Sequence, residues 1–228
     1  MIRAALLIAL ALVLAPPAGA SPPFRPGAFV ARVDNPWFPL APGTVWTYRG
    51  VEDGKPSRDV VTVTHATRVI QGVRATAVRD LLYVDGRLAE RTTDWYAQDR
   101  AGNVWYLGEA TAELDAKGRV TTREGSWLAG VDGAEAGMYM PAHPAVGVSG
   151  RQEYLKGHAE DRFRVKALNA KVSVPALSST HALLTEEWSP LEPGVLEHKL
   201  YVRGTGIVLD ETVKGGDERN ALISVRRS

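Results

Sequence analysis

Residues 58–98 read RDVVTVTHATRVIQGVRATAVRDLLYVDGRLAERTTDWYAQ, and this stretch decides the fold. Two runs rich in valine and threonine are separated by Gln71-Gly72, and Asp85-Gly86 separates the second run from a third. β-Branched residues favour strands, and an Asp-Gly pair between such runs is a strong signal for a two-residue hairpin turn. The stretch therefore predicts three consecutive antiparallel strands.

The same rhythm extends over the rest of the chain from Val45, with no helical periodicity sustained over a dozen residues. Further strands are predicted at residues 104–115, 150–156, 159–168, 181–188, 195–203, 207–214 and 217–227. Turn signals such as Lys117-Gly118 separate them. We predict an all-β fold in which residues 45–228 form one domain. Its antiparallel meander should curl into a strongly curved sheet or barrel, because open edges invite aggregation.

Residues 126–149 interrupt this rhythm. The segment is rich in glycine, and Met138 and Met140 lie close to two prolines, Pro141 and Pro144. Long segments without strand periodicity in a small domain are commonly functional loops. We predict that this segment is a long ordered loop that covers the sheet.

The first 20 residues have the pattern of a signal peptide. Arg3 precedes an apolar run over residues 4–14, and Ala18-Gly19-Ala20 forms a cleavage site before Ser21. The apolar run is too short to span a bilayer, and no second such run follows. We predict a soluble mature protein that is periplasmic or secreted, with residues 21–44 as an extended, proline-rich arm.

Composition excludes several classes of function. The sequence contains no cysteine, which excludes disulfides, thiol nucleophiles and thiolate metal sites. Without the leader, 26 basic residues balance 26 acidic residues, which argues against nucleic acid as the main partner. No P-loop, dinucleotide-binding, G-x-S-x-G or H-E-x-x-H motif occurs. No cofactor is therefore predicted.

Two stretches carry a resemblance to known proteins. Residues 35–48, NPWFPLAPGTVWTY, resemble the start of a group of secreted bacterial β-rich proteins of unassigned function. In that group a proline-rich arm leads into a first strand that ends in W-x-Y. Residues 201–208, YVRGTGIV, are similar to a late hairpin of periplasmic β-proteins, some related to lipoprotein-carrier half-barrels. The resemblance implies an exported, curved β fold and supplies no catalytic residues.

Hairpin geometry predicts one candidate catalytic cluster. If both turns hold two residues, Asp80 lies opposite Arg91, and His65 lies on the same sheet face. A charge pair and an imidazole beside valines and Trp95 would be partly desolvated, which is a setting for functional pKa shifts. His65, Asp80 and Arg91 are therefore candidate catalytic residues. The alternative is a structural ion pair with His65 on a half-exposed surface.

The next hairpin predicts a candidate ligand-binding face. It places Tyr96 opposite Tyr106, so that Trp95, Trp105 and Leu107 share the other face. Aromatic walls bind apolar or amphipathic molecules, and Tyr139 of the covering loop would complete the wall. The alternative is that these side chains only fill the core. These four residues, Trp95, Trp105, Leu107 and Tyr139, are the predicted ligand-binding residues.

Two further groups of residues invite hypotheses. Met138, Met140 and His143 could hold Cu(I), although methionines in a covering loop also fill gaps by packing. Carboxylates gather late in the chain, among them Glu187 and Glu197. His198 alternates with leucines, which predicts that it faces inward.

The sequence is compatible with three functions. The first is a binding or envelope protein that holds an apolar or amphipathic ligand on a tryptophan-lined face. The second is an exported hydrolase or lyase that uses His65 with Asp80, or the late carboxylates. The third is a structural component of the envelope.

Overall fold

A computed structural model describes residues 24–227, so the predicted signal peptide lies outside the described residues. The all-β prediction is confirmed: the only helical element among these residues is a 3-10 turn at Pro26–Ala28. The strands are β1 (Phe29–Val30), β2 (Val45–Glu52), β3 (Lys55–Ile70), β4 (Val73–Val84), β5 (Arg87–Asp99), β6 (Val104–Leu114), β7 (Val120–Thr122), β8 (Trp127–Leu128), β9 (Glu135–Met140), β10 (Ser149–Arg151), β11 (Glu153–Tyr154), β12 (Arg162–Val174), β13 (Leu177–Trp188), β14 (Leu196–Val202), β15 (Gly206–Lys214) and β16 (Arg219–Arg226).

The strands form one antiparallel, nearly closed barrel. Its order is β10-β12-β13-β14-β15-β16-β2-β3-β4-β5-β6-β9-β11. Strands β2 to β6 and β12 to β16 are two meanders, and they join because β16 pairs with β2 from the other end of the chain. Strand β10 lies against β9 at the remaining seam. The predicted barrel-like meander is therefore confirmed.

Both predicted hairpin turns are present. Gln71-Gly72 has φ of 47° and 78°, and Asp85-Gly86 has φ of 50° and 77°. Two successive positive φ angles define a type I′ turn, whose twist matches that of the flanking strands. Ile70 therefore pairs with Val73, and Val84 pairs with Arg87, as the sequence predicts.

The predicted register beyond these turns is wrong, because each hairpin contains a bulge. An irregularity after Tyr83 leaves Asp80 opposite Thr92, while Arg91 lies opposite Leu81. A second irregularity between Val63 and Thr67 takes His65 out of the ladder. One extra residue in a strand turns all later side chains to the other face.

The segment predicted as a covering loop instead supplies part of the wall. Within residues 126–149, β8 and β9 pair with β6, and β9 also pairs with β11. Gly137 allows this packing, because a Cβ there would collide with the carbonyl of Gln152.

The outer face of β5 and β6 carries a small core of its own. Trp105 is covered by Phe24 and Phe29, whose ring centroids lie 5.6 and 6.2 Å from its own. Arg68 covers Trp95 at 4.6 Å from the ring centroid. The start of the arm, at Phe24 and Phe29, is therefore packed against the barrel, and its burial of aromatic surface stabilises the fold.

Replacing Gly50 with alanine tests the junction of the two meanders. A Cβ at Gly50 would overlap the backbone oxygen of Arg219, so β2 and β16 would have to move apart. We expect the free energy of unfolding to fall by about 2 kcal/mol, as for other overpacking changes. Urea denaturation of the variant measures this loss. Gly27→Ala is the control, because a Cβ at Gly27 would have no other atom within 4 Å; an equal loss in both variants would contradict the account.

Candidate functional site

The barrel encloses a cavity of about 190 Å³ with an acidic wall. Its lining comes from eight strands and the arm before β2. Four aspartates line it, Asp59, Asp80, Asp94 and Asp210, whereas Lys199 is the only cationic side chain among its described lining residues. The wall therefore holds more carboxyl groups than one ammonium group can neutralise.

Asp59 on β3 and Asp80 on β4 form a carboxyl pair. Both side chains line the cavity from adjacent strands, where two neighbouring carboxyl groups favour sharing a proton over ionising together. Burial raises both pKa values, and the hydrogen bond to Asp80 raises that of Asp59 further. Asp59 is therefore the protonated partner, and its buried Oδ1, which has no hydrogen-bond partner among the described residues, is less costly on a neutral group.

Asp94 on β5 belongs to a second acidic group. The hydroxyl of Tyr106 lies 2.6 Å from Asp94 Oδ1 and 3.0 Å from Glu109 Oε2. A phenol has one proton to donate, so Tyr106 cannot fully satisfy both of these carboxyl groups. Burial raises the pKa of Asp94 well above its usual value, and it raises that of Glu109 to about 7.

Lys199 on β14 is the cation of the wall. Its Nζ lies 2.9 Å from Glu187 Oε2 and 3.6 Å from Asp210 Oδ2. Burial acts to lower the pKa of Lys199, but the charges of Asp210 and Glu187 outweigh it and raise that pKa. Glu187 also accepts hydrogen bonds from Gln152 and Thr185, so this ion pair is held in a fixed geometry.

Aromatic side chains form the rest of the wall. Tyr96 and Tyr139 pack edge to face with ring centroids 5.0 Å apart, and Phe38 of the arm lies 4.5 Å from Tyr139. Trp46 and Tyr48 line the opposite side, where Tyr48 donates a hydrogen bond to the carbonyl of Ile207 at 3.0 Å. The cavity thus combines carboxyl groups with flat aromatic surfaces.

The structure separates the three predicted catalytic residues. Asp80 lines the cavity, whereas the side chains of His65 and Arg91 are exposed. The irregularities described above cause this separation. One extra residue on β5 turns Arg91 to the other face, and the irregularity between Val63 and Thr67 takes His65 out of the ladder. The predicted juxtaposition of His65, Asp80 and Arg91 is therefore wrong.

The predicted ligand-binding residues are also divided. Tyr96 does lie opposite Tyr106, as predicted, and Tyr139 lines the cavity. Trp95, Trp105 and Leu107 are at most 8% exposed and lie on the outer face of the wall. The concave face is lined by tyrosines and carboxyls instead.

The remaining hypotheses concern metals and histidine. Within residues 24–227, no group of three or more His, Cys, Asp or Glu side chains could hold a metal ion. Met138 and Met140 are buried in the core, whereas His143 is exposed. His198 does not face inward: Lys199 lines the cavity, so its neighbour His198 points away from it.

Sequence reasoning did not find Asp59, Asp94, Lys199 or Asp210. The rule that apolar residues face inward fails here, because this interior is polar. One signal was available: within the predicted strands, these four residues alternate with apolar or aromatic residues, namely Val61, Tyr96, Tyr201 and Val208. When a charged residue alternates with apolar or aromatic residues in a predicted strand, the pattern can indicate a polar barrel interior.

No family model matches the chain, and no curated protein matches it. A solved structure described as a "putative lipoprotein" from Parabacteroides distasonis is similar over 83% of this chain and 98% of its own length. The two share 12% sequence identity, with a TM-score of 0.42. Among residues 24–227, no helix has the length and apolar character needed to cross a membrane.

Proposed function

We propose that the protein is an exported binding protein whose barrel holds a small amphipathic amine. The observation that carries the proposal is the cavity wall, in which four aspartates and several aromatic rings surround a single lysine. Carboxylates bind an ammonium group through charge-assisted hydrogen bonds, and aromatic faces attract cations. The apolar part of such a ligand would lie against Phe38 and Leu40.

The protonation of the aspartates in the cavity wall supports a cationic ligand. Without one, burial keeps the pKa values of Asp59, Asp80 and Asp94 raised, so part of the wall stays protonated. An ammonium group would favour the ionised form of the carboxyl it contacts, because an opposite charge lowers the pKa of an acid. Uptake of an amine should therefore release protons.

The size of the cavity limits the ligand. A cavity of roughly 150 Å³ in a protein core can hold benzene. The volume of about 190 Å³ therefore accommodates one ring with a short chain. The predicted signal peptide would place this binding protein in the periplasm or outside the cell.

The test is a comparison of 2-phenylethylamine with 2-phenylethanol, which has the same shape without the charge. We expect calorimetric titration at pH 7.5 to detect the amine with at least about tenfold higher affinity, equivalent to about 1.4 kcal/mol. Asp80→Asn should abolish that preference, since it removes the ionisable partner of the Asp59 pair.

Asp85→Asn is the matched control, because Asp85 is exposed in a type I′ turn that asparagine also adopts. Titration in two buffers of different ionisation enthalpy counts the protons released. Equal affinity for the amine and the alcohol, or an unchanged preference in a folded Asp80→Asn variant, would contradict the proposal.

An exported hydrolase or lyase is the second candidate. One observation favours it: a protonated Asp59 beside Asp80 is a pairing that can serve as general acid and base. His65 has no part in this version, because it is exposed. Turnover of an ester or glycoside substrate that is lost in Asp59→Asn and in Asp80→Asn would support it. A purely structural role would leave the cavity unexplained.

A further inference from the structure

A groove of about 760 Å³ lies at the seam of the barrel and shares no lining residue with the interior cavity. Strands β9, β10 and β12 border it, and the N-terminal end of the arm contributes Phe24. Three arginines line it: Arg151, Arg162 and Arg164. The groove is therefore a separate, basic surface feature.

The arginines are placed in a way that the fold does not require. Arg151 and Arg162 are direct partners on adjacent antiparallel strands. Like charges in such positions repel each other and destabilise a sheet. Arg164 follows two residues after Arg162 and so lies on the same face. Three guanidinium groups thus converge on one patch of the wall.

The nearby carboxylates compensate this charge only in part. Glu135 lies 3.3 Å from Arg151, but within residues 24–227 no carboxylate lies within 4 Å of Arg162 or Arg164. The Nε of Arg162 is buried without a hydrogen-bond partner among those residues. Within this part of the chain, the charges of these two guanidinium groups are therefore not compensated by a carboxylate.

Two more acidic residues lie close but do not neutralise the groove. Glu186 is the cross-strand partner of Arg164, yet its carboxylate binds Lys166 at 3.1 Å. Burial raises the pKa of Glu153, which lines the groove, to about 9, so it is neutral at pH 7. The groove consequently keeps a net positive charge.

Aromatic rings fix the orientation of two of the arginines. The guanidinium of Arg151 lies 4.3 Å from the ring centroid of Tyr154, and that of Arg164 lies 5.5 Å from that of Trp188. A stacked guanidinium keeps its planar edge free for hydrogen bonds. This arrangement favours planar, bidentate recognition of an oxyanion.

We propose that this groove binds an oxyanion, that is, a carboxylate, sulfate or phosphate group, through Arg162 and Arg164. The group belongs either to a compact anion or to an acidic oligosaccharide that follows the groove. Because the two sites share no residue, this inference stands independently of the amine proposed for the interior.

The test uses calorimetric titration of the mature chain at low ionic strength with three probes: inorganic phosphate, trigalacturonate and neutral maltotriose. We expect one or both anionic probes to bind and maltotriose not to bind. Binding of phosphate alone identifies a site for compact anions, whereas tighter binding of trigalacturonate identifies an oligosaccharide groove. Affinity should fall as salt is added, because the contacts are between charges.

Arg164→Glu should weaken anion binding at least tenfold, and Arg162→Gln should weaken it while keeping an uncharged polar side chain. Arg79→Glu is the control, because Arg79 is exposed on β4 and does not line the groove. The proposal is overturned if the wild type binds neither anion, or if folded Arg164→Glu binds as tightly as Arg79→Glu.

Discussion

Replacing Lys199 with methionine is expected to lower the free energy of unfolding by about 3–5 kcal/mol, the usual effect of breaking a buried ion pair. The Glu187 side chain is only 4% exposed, and Lys199 Nζ lies 2.9 Å from its carboxylate. Methionine matches the length of lysine but leaves this carboxylate without a cation. Chemical denaturation at pH 7 measures the loss.

Two further variants make this result specific. Lys166→Met breaks an ion pair with Glu186 in which the lysine side chain is 40% exposed, and it should change stability by less than about 1 kcal/mol. Adding Glu187→Gln to Lys199→Met removes the stranded charge, so most of the lost stability should return. Equal losses in the free energy of unfolding for Lys199→Met and Lys166→Met would contradict a stabilising role for the buried ion pair of Lys199 with Glu187.

Between pH 5 and pH 8 the ionisation of Asp210 is expected to lower the free energy of unfolding of the wild type by about 3 kcal/mol, because each unit by which a pKa is raised corresponds to about 1.4 kcal/mol. Burial raises the pKa of Asp210 to about 7, whereas an unfolded aspartate is already ionised at pH 5. The folded state therefore binds more protons than the unfolded state in this window, and stability falls as pH rises. Below about pH 4 both states are protonated, and the contribution becomes constant.

Urea denaturation at pH 5, 6, 7 and 8 measures this slope. Asp210→Asn should make the profile less steep than that of the wild type and make the protein more stable than the wild type at pH 8, since asparagine cannot ionise. Asp85→Asn, in an exposed turn, should keep the wild-type slope. A free energy of unfolding that rises from pH 5 to pH 8 would contradict the prediction that the fold keeps Asp210 protonated in this range.

Local sequence signals were sufficient for the architecture. Gln71-Gly72 and Asp85-Gly86 adopt the positive φ angles that their residue types allow, and the strands on each side follow. The all-β class and the barrel-like curvature follow from the number of such hairpins. Strand β9 was missed, because Gly137 fits a close contact with Gln152 that only tertiary structure reveals.

The candidate site was less accessible to sequence reasoning for two physical reasons. Bulges in the β3–β4 and β4–β5 hairpins moved His65 and Arg91 away from Asp80, and no residue type marks such a bulge reliably. The interior is also polar, so the usual alternation predicted that His198 faces inward, whereas its neighbour Lys199 lines the cavity in the structure. Of the predicted residues, Asp80 and Tyr139 line the cavity.

The pairing of β2 with β16 sets the order in which the molecule can assemble. Trp46 pairs with Val225, almost 180 residues later in the chain, whereas β3 to β6 pair with their immediate neighbours. Nearby hairpins close quickly, and contacts between distant segments form late. During synthesis the first meander, β2 to β6, can therefore form before β16 is available to pair with β2. The cavity comes into existence only when the last strand of the chain arrives.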